Sequence, residues 1–211
     1  METSVGLSTV LHKVLLSCGI IAAVLGAVTD IVAGLMKPGY RSDTQSASIL
    51  SAFGITTRPY VLPFIVTANT LMIAFAVGVW FSADHNWVMR VTAGLIAGNA
   101  VFATIAFLFF PMHPDEAMNT YANRLNVIFM GISVLLFFLA IGFGAAANHT
   151  WFRYFSIGMI LIFFVVDILA LRGVKPALGG APGPLVGVQE RTMMYGDLLW
   201  LALQAVVLLR V

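Results

Sequence analysis

The sequence predicts an all-α fold: a polytopic membrane bundle of six transmembrane helices. Three observations predict it. Of the 211 residues, 60% are hydrophobic. Only 9% are charged, against about a quarter in an ordinary soluble domain. The apolar residues gather in runs close to the ~20 residues that one bilayer crossing takes. Such a chain cannot be disordered, since disorder needs low hydrophobicity and high charge. Eleven Lys and Arg are nearly balanced by nine acids, so no nucleic-acid partner is expected.

The spans are expected at about 12–36, 60–83, 88–110, 125–147, 152–172 and 192–210, within a single domain covering 1–211. Helices are expected because lipid offers the backbone no hydrogen-bond partners. The runs do not alternate as the strands of a membrane barrel would. The first run is too long for the apolar part of a signal peptide and reads as a retained span. Two connections are short: Asp84 to Trp87, and Asn148 to Trp151. Each pairs polar residues with a Trp, as a membrane interface does. The other three, about 37–59, 111–124 and 173–191, are longer and fall on one side of a six-span bundle. Pro176, Gly179, Gly180, Pro182, Gly183 and Pro184 make the last of them irregular coil. The long-loop side holds seven Lys and Arg (Lys37, Arg41, Arg58, Arg124, Arg172, Lys175 and Arg191), and the other side holds Lys13, Arg90, Arg153 and Arg210. By the positive-inside rule that count puts the long loops in the cytoplasm.

Acids inside spans are costly and mark function by default. Three are present: Asp30, Asp167 and Asp197. Counted from the expected span ends, each lies about five or six residues in, roughly 8–9 Å at ~1.5 Å per residue. All three would then share one depth on the long-loop side. Glu190, Asp197 and Gln204 recur every seven residues and stripe one face if the last helix starts early enough. Thr92 with Asn99, and Asn126 with Ser133, do the same in the third and fourth spans, and Asn69 lies near the middle of the second. Polar stripes ordinarily just tie helices together. The acids have a structural reading too, as ion-pair partners of Arg58, Arg124, Arg172 or Arg191.

Other signals are weaker. Gly94 and Gly98 form a G-x-x-x-G, a close-packing signal. Met112, His113 and Met118 are a chance cluster rather than a copper site. His12, His85 and His149 lie on the short-loop rim. The lone Cys18 excludes an intrachain disulfide and a cysteine zinc cluster. No phosphate loop, nucleophile elbow, zinc-protease or dinucleotide motif is present, so no cofactor and no metal are expected.

The first long loop carries recognisable text: Lys37-Pro38-Gly39-Tyr40, then the run from Gln45 through Ser46, Ala47, Ser48, Ile49, Leu50 and Ser51 to Ala52, then Thr57-Arg58-Pro59. Phe110-Pro111 with Asp115 follows, and later Gln189-Glu190-Arg191. In these marks, taken in order along the chain, the sequence resembles the domain-of-unknown-function 998 family of six-helix bacterial membrane proteins. The resemblance implies a cell-membrane location with N- and C-termini in the cytoplasm and the long loops outside. That opposes the charge count and is preferred here, because Arg58 and Arg191 lie in the matching motifs. Relatives carry histidines at the start of the fourth helix, where this chain has Ala122 and Asn126. Asn cannot shuttle protons as His does, so no histidine mechanism is expected.

The favoured expectation is an embedded acid–base enzyme, a cyclase or isomerase. Asp30, Asp167, Asp197 and Glu190 are its candidate catalytic groups. Arg58, Arg191, Gln45, Tyr40, Asn126, Asn69 and Asn99 are its candidate substrate-binding groups. The partner would be membrane lipid or an apolar small molecule such as an isoprenoid. The alternatives are a lipid or proton-coupled solute transporter and a non-catalytic accessory subunit.

Overall fold

The computed structural model describes residues 2–116, 120–148, 151–173 and 186–210, except the side chains of 2–8, 167 and 169–173. Among the described residues are six helices: α1 (Glu2–Met36), α2 (Arg58–Phe81), α3 (Trp87–Phe109), α4 (Tyr121–Ala147), α5 (Trp151–Gly173) and α6 (Val186–Leu209). A short 3-10 turn, Ala47–Ser51, lies in the first long loop. Five helices are long and apolar enough to cross a membrane, and the described part of α5, Trp151–Val166, is a shorter apolar stretch. Neighbours in sequence are mostly neighbours in space, and α6 returns to pack beside α1. Exposed apolar residues such as Leu35, Phe109 and Leu161 cover the outside. That surface suits hydrocarbon and would aggregate in water.

The short-loop half of the bundle is densely packed. Trp200 is fully buried, edge-on to Phe137 and tilted against Phe152. Its indole N–H donates to Ser156 Oγ at 2.9 Å, so its one polar atom is satisfied. Between helices in lipid, close packing and hydrogen bonds replace the hydrophobic force. Glycines make room for both. A Cβ on Gly144 would collide with the Trp200 ring, and one on Gly196 with Phe163. A Cβ on Gly78 would press on the backbone of α1 at Leu15 and Leu16. These contacts, rather than the Gly94/Gly98 pair, set the close approaches. Gly94 faces nothing within 4 Å, and Gly98 meets only Leu136. Asn148, expected at the interface, is buried instead and donates to Gln204 Oε1 at 3.2 Å. His12 ties α1 to α2, with Nε2 at 2.9 Å from Ser82 Oγ and 3.1 Å from Gly78 O.

The last helix starts six residues before its expected span, at Val186 rather than 192. Glu190, Asp197 and Gln204 therefore do stripe one helical face. The early start also corrects the common depth of the acids. Asp30 is bonded by both Arg191 and Tyr195, four residues apart on α6, and so sits between their levels. Asp197 is two residues beyond Tyr195 and six beyond Arg191, hence deeper than Asp30 by roughly 3–9 Å at ~1.5 Å per residue. The Asp167 side chain, Met118, His149, Thr150, Lys175 and residues 176–184, expected as irregular coil, lie outside the described residues.

Candidate functional site: a cavity under the first long loop

The first long loop folds back onto the bundle. Gly39 and Gly54, with φ of +73° and +76°, turn the chain at either end of it. Only glycine takes such angles without strain. Between them, the 3-10 turn is grasped by α6. Glu190 accepts from Ala47 N at 2.9 Å, from Ser48 N at 3.1 Å and from the Ser46 hydroxyl. Gly187 sits so close to the carbonyls of Ser42 and Gln45 that no Cβ would fit.

Arg191 is the second clamp. Its Nε and Nη2 each lie 2.9 Å from an oxygen of Asp30, a bidentate pair. Tyr195 also donates to Asp30 at 2.8 Å. Arg191 Nη2 reaches Tyr40 Oη at 2.6 Å, and Nη1 reaches the carbonyls of Ser42 at 2.8 Å and Gln45 at 3.2 Å. Tyr40 in turn donates to Ser46 O at 2.9 Å. One guanidinium thus joins α1, the loop and α6. Arg58 closes the far end, donating to Ser51 O and, at 2.9 Å, to Phe107 O.

Burial pushes the Tyr40 phenol above its ordinary 10.0, with the Arg191 contacts pulling the other way. A raised folded value means stability is intact below pH 10 and declines as pH rises through the folded value. Tyr40→Phe should flatten that alkaline decline, read as melting temperature between pH 9 and 11. An unchanged slope would show that the phenol stays as free to ionise as in the unfolded chain.

Beneath the loop lies a cavity of about 340 Å³, within the ~300–1,000 Å³ usual for small-molecule sites. Its roof is Ala47, Ser48, Leu50 and Ser51, and its walls come from α1, α2, α3, α4 and α6. Most of the lining is apolar, including Phe107, Phe137, Met72 and Leu201. Its acids are Asp30, Glu190 and Asp197. The first two are saturated by the bonds above. Asp197 is deeply set, faces the cavity, and has no hydrogen-bond or ion-pair partner among the described residues.

The expected site residues thus separate. Asp30, Glu190, Arg191, Tyr40 and Gln45 come together, but as the seal between loop and bundle. The Gln45 side chain accepts from its own loop, at Arg41 N, 3.2 Å away. Asn126 donates to Phe110 O at 2.6 Å and holds the end of α3, away from the cavity lining. Asn69 and Asn99 do reach the cavity. Asn69 Nδ2 donates to Thr104 Oγ1 at 3.0 Å, and Asn99 Nδ2 donates to Ser133 Oγ at 2.8 Å. Asn123 was missed. It is buried, receives His113 N at 2.8 Å and returns a bond to His113 O at 3.1 Å, fixing the third connection. Its place three residues before Asn126, on the same helical face, was the available signal.

No curated protein and no solved structure matches the chain. A family model described as protein of unknown function, DUF998, matches residues 20–207. The match runs from mid-α1 almost to the end of α6 and takes in the loop, both clamps and the cavity. The chain therefore belongs to the DUF998 family.

Proposed function

We propose that this protein is a six-span membrane enzyme that admits an isoprenoid- or lipid-like molecule to the cavity, with Asp197 as its acid–base group. The sixth crossing is α5. Its 23 residues would extend about 34 Å at ~1.5 Å each, enough for a ~30 Å hydrocarbon core. Arg58 and Arg191 on the long-loop side and Arg90 and Arg153 on the short-loop side all make structural bonds, so discounting bonded cations leaves the charge count opposed to cytoplasmic termini. Cytoplasmic termini rest on the family pattern alone.

One observation carries the chemical reading: an unpartnered carboxyl facing an apolar cavity. A buried carboxyl without partners costs stability, and such groups persist where function needs them. A single carboxyl suffices for an isomerisation or cyclisation. It gives its proton to one carbon of an alkene, leaving a carbocation and a carboxylate. The carboxylate then takes a proton from a neighbouring carbon, so a new double bond forms and the acid is restored. Asp30, held by Arg191 and Tyr195, is a positioning group for the loop. Asp167, at the long-loop end of α5, remains a candidate second carboxyl.

The test is mass spectrometry of small molecules extracted from purified wild type and Asp197→Asn, each expressed with a supply of isoprenoids. The expected result is an apolar molecule trapped on the variant and its isomer released by wild type. The same unaltered molecule on both would favour a carrier. Bulk membrane lipid alone on both would remove the enzyme reading and favour an accessory subunit.

A further inference from the structure

The polar groups lining the cavity are unevenly used. The hydroxyl protons are spent: Thr29 donates to Leu25 O at 2.6 Å, Ser51 to Ser48 O at 3.1 Å and Ser133 to Asn99 O at 3.2 Å. Asn99 Nδ2 donates to Ser133 O at 3.0 Å and to Ser133 Oγ at 2.8 Å, and its Oδ1 has no partner among the described residues. Among the described residues, Asn69 keeps its Oδ1 and one N–H free. The free capacity is therefore mostly acceptor: Asp197, Asn99 Oδ1 and Asn69 Oδ1. Charge points the same way. Asp30, Glu190 and Asp197 line the cavity, whereas among the described residues no Lys or Arg does. Arg191 neutralises Asp30, which leaves two carboxyl groups, Glu190 and Asp197, and among the described residues no cation facing the space. Phe107 and Phe137 also belong to the lining.

We infer that the cavity selects an apolar molecule carrying one positive charge, an organic ammonium in the stable case, with the charge seated at Asp197. This rests on the cavity being a binding site, as in the reading above. It adds the sign of the ligand's charge, which that reading leaves open. At roughly 30 Å³ per water-sized group, 340 Å³ holds about eleven such groups. Ten cage carbons and one nitrogen are of that size. The same electrostatics would stabilise a carbocation formed from a neutral guest, so the charge is either resident or transient.

Three probes of one shape separate these outcomes: 1-adamantylamine, 1-adamantanol and 1-adamantanecarboxylate. Each is titrated by calorimetry against the full-length protein in nanodiscs, and the empty discs are titrated as the blank. The amine should bind at least tenfold tighter than the alcohol, and the carboxylate weakest. Asp197→Asn, which keeps the side-chain shape, should erase the amine's advantage while leaving the alcohol's affinity within about threefold. The retained alcohol binding also reports that the variant is folded. Equal affinities for amine and alcohol, or a preference that survives in Asp197→Asn, would overturn the charge inference but keep the cavity as a site. No binding of any probe to wild type would overturn both. An amine extracted with the protein as purified would mark the charge as resident, and a neutral isoprenoid would mark it as transient.

Discussion

Arg191→Met should cost about 3–5 kcal/mol of stability, the usual penalty for stranding one member of a buried ion pair. The pair is buried on both sides: the Arg191 and Asp30 side chains are 12% and 7% exposed. Removing the guanidinium leaves Asp30 with only Tyr195 as a donor. It also frees Tyr40 and two loop carbonyls that Arg191 now bonds. Adding Asp30→Asn to Arg191→Met should recover part of the loss, because no charge is then stranded. Thermal unfolding of the four members of this cycle in one detergent provides the check. A single Arg191→Met variant as stable as wild type would mean that the loop is held by other means.

Asp197→Leu should move stability the other way, by about 1–3 kcal/mol upward. An unpaired buried polar group costs about that much, and leucine fits the apolar lining. The two substitutions lie on the same helix, one inside the loop seal and one below it. A gain at Asp197 together with lost ligand retention would be the signature of a group kept for function at the expense of stability. A loss of stability in Asp197→Leu would instead mark Asp197 as a packing residue.

The contrast also shows how far the sequence could be read. Bilayer thickness imposes run length directly, so the six helices were legible within a few residues except where polar residues extend a helix. The starts of α1, at Glu2 rather than 12, and of α6, at Val186 rather than 192, were obscured in this way. Residues Val186 to Arg191 are too polar to look like a span, yet the helix begins there because its side chains grip the loop. The seven-residue stripe of Glu190, Asp197 and Gln204 was legible, since helical period alone fixes it. The separate fates of those residues were not. Glu190 finds its donors in a loop 144 positions away in sequence, and Asp197 finds none among the described residues. The partner of Asp30 was narrowed to four arginines but not chosen, because the choice depends on how the loop folds. Asn69 and Asn99 both tie helices and face the cavity, so their structural and functional readings are not exclusive.

The most direct test is an experimental structure of the wild-type protein in lipid nanodiscs, at a resolution that shows small molecules. Density for a compact apolar molecule beneath the 3-10 turn is expected, with its polar end within hydrogen-bond distance of Asp197 and the Arg191–Asp30 clamp closed above it. A cavity collapsed by inward movement of α4 or α6, with the Asp197 carboxyl bonded to a protein group, would contradict that expectation.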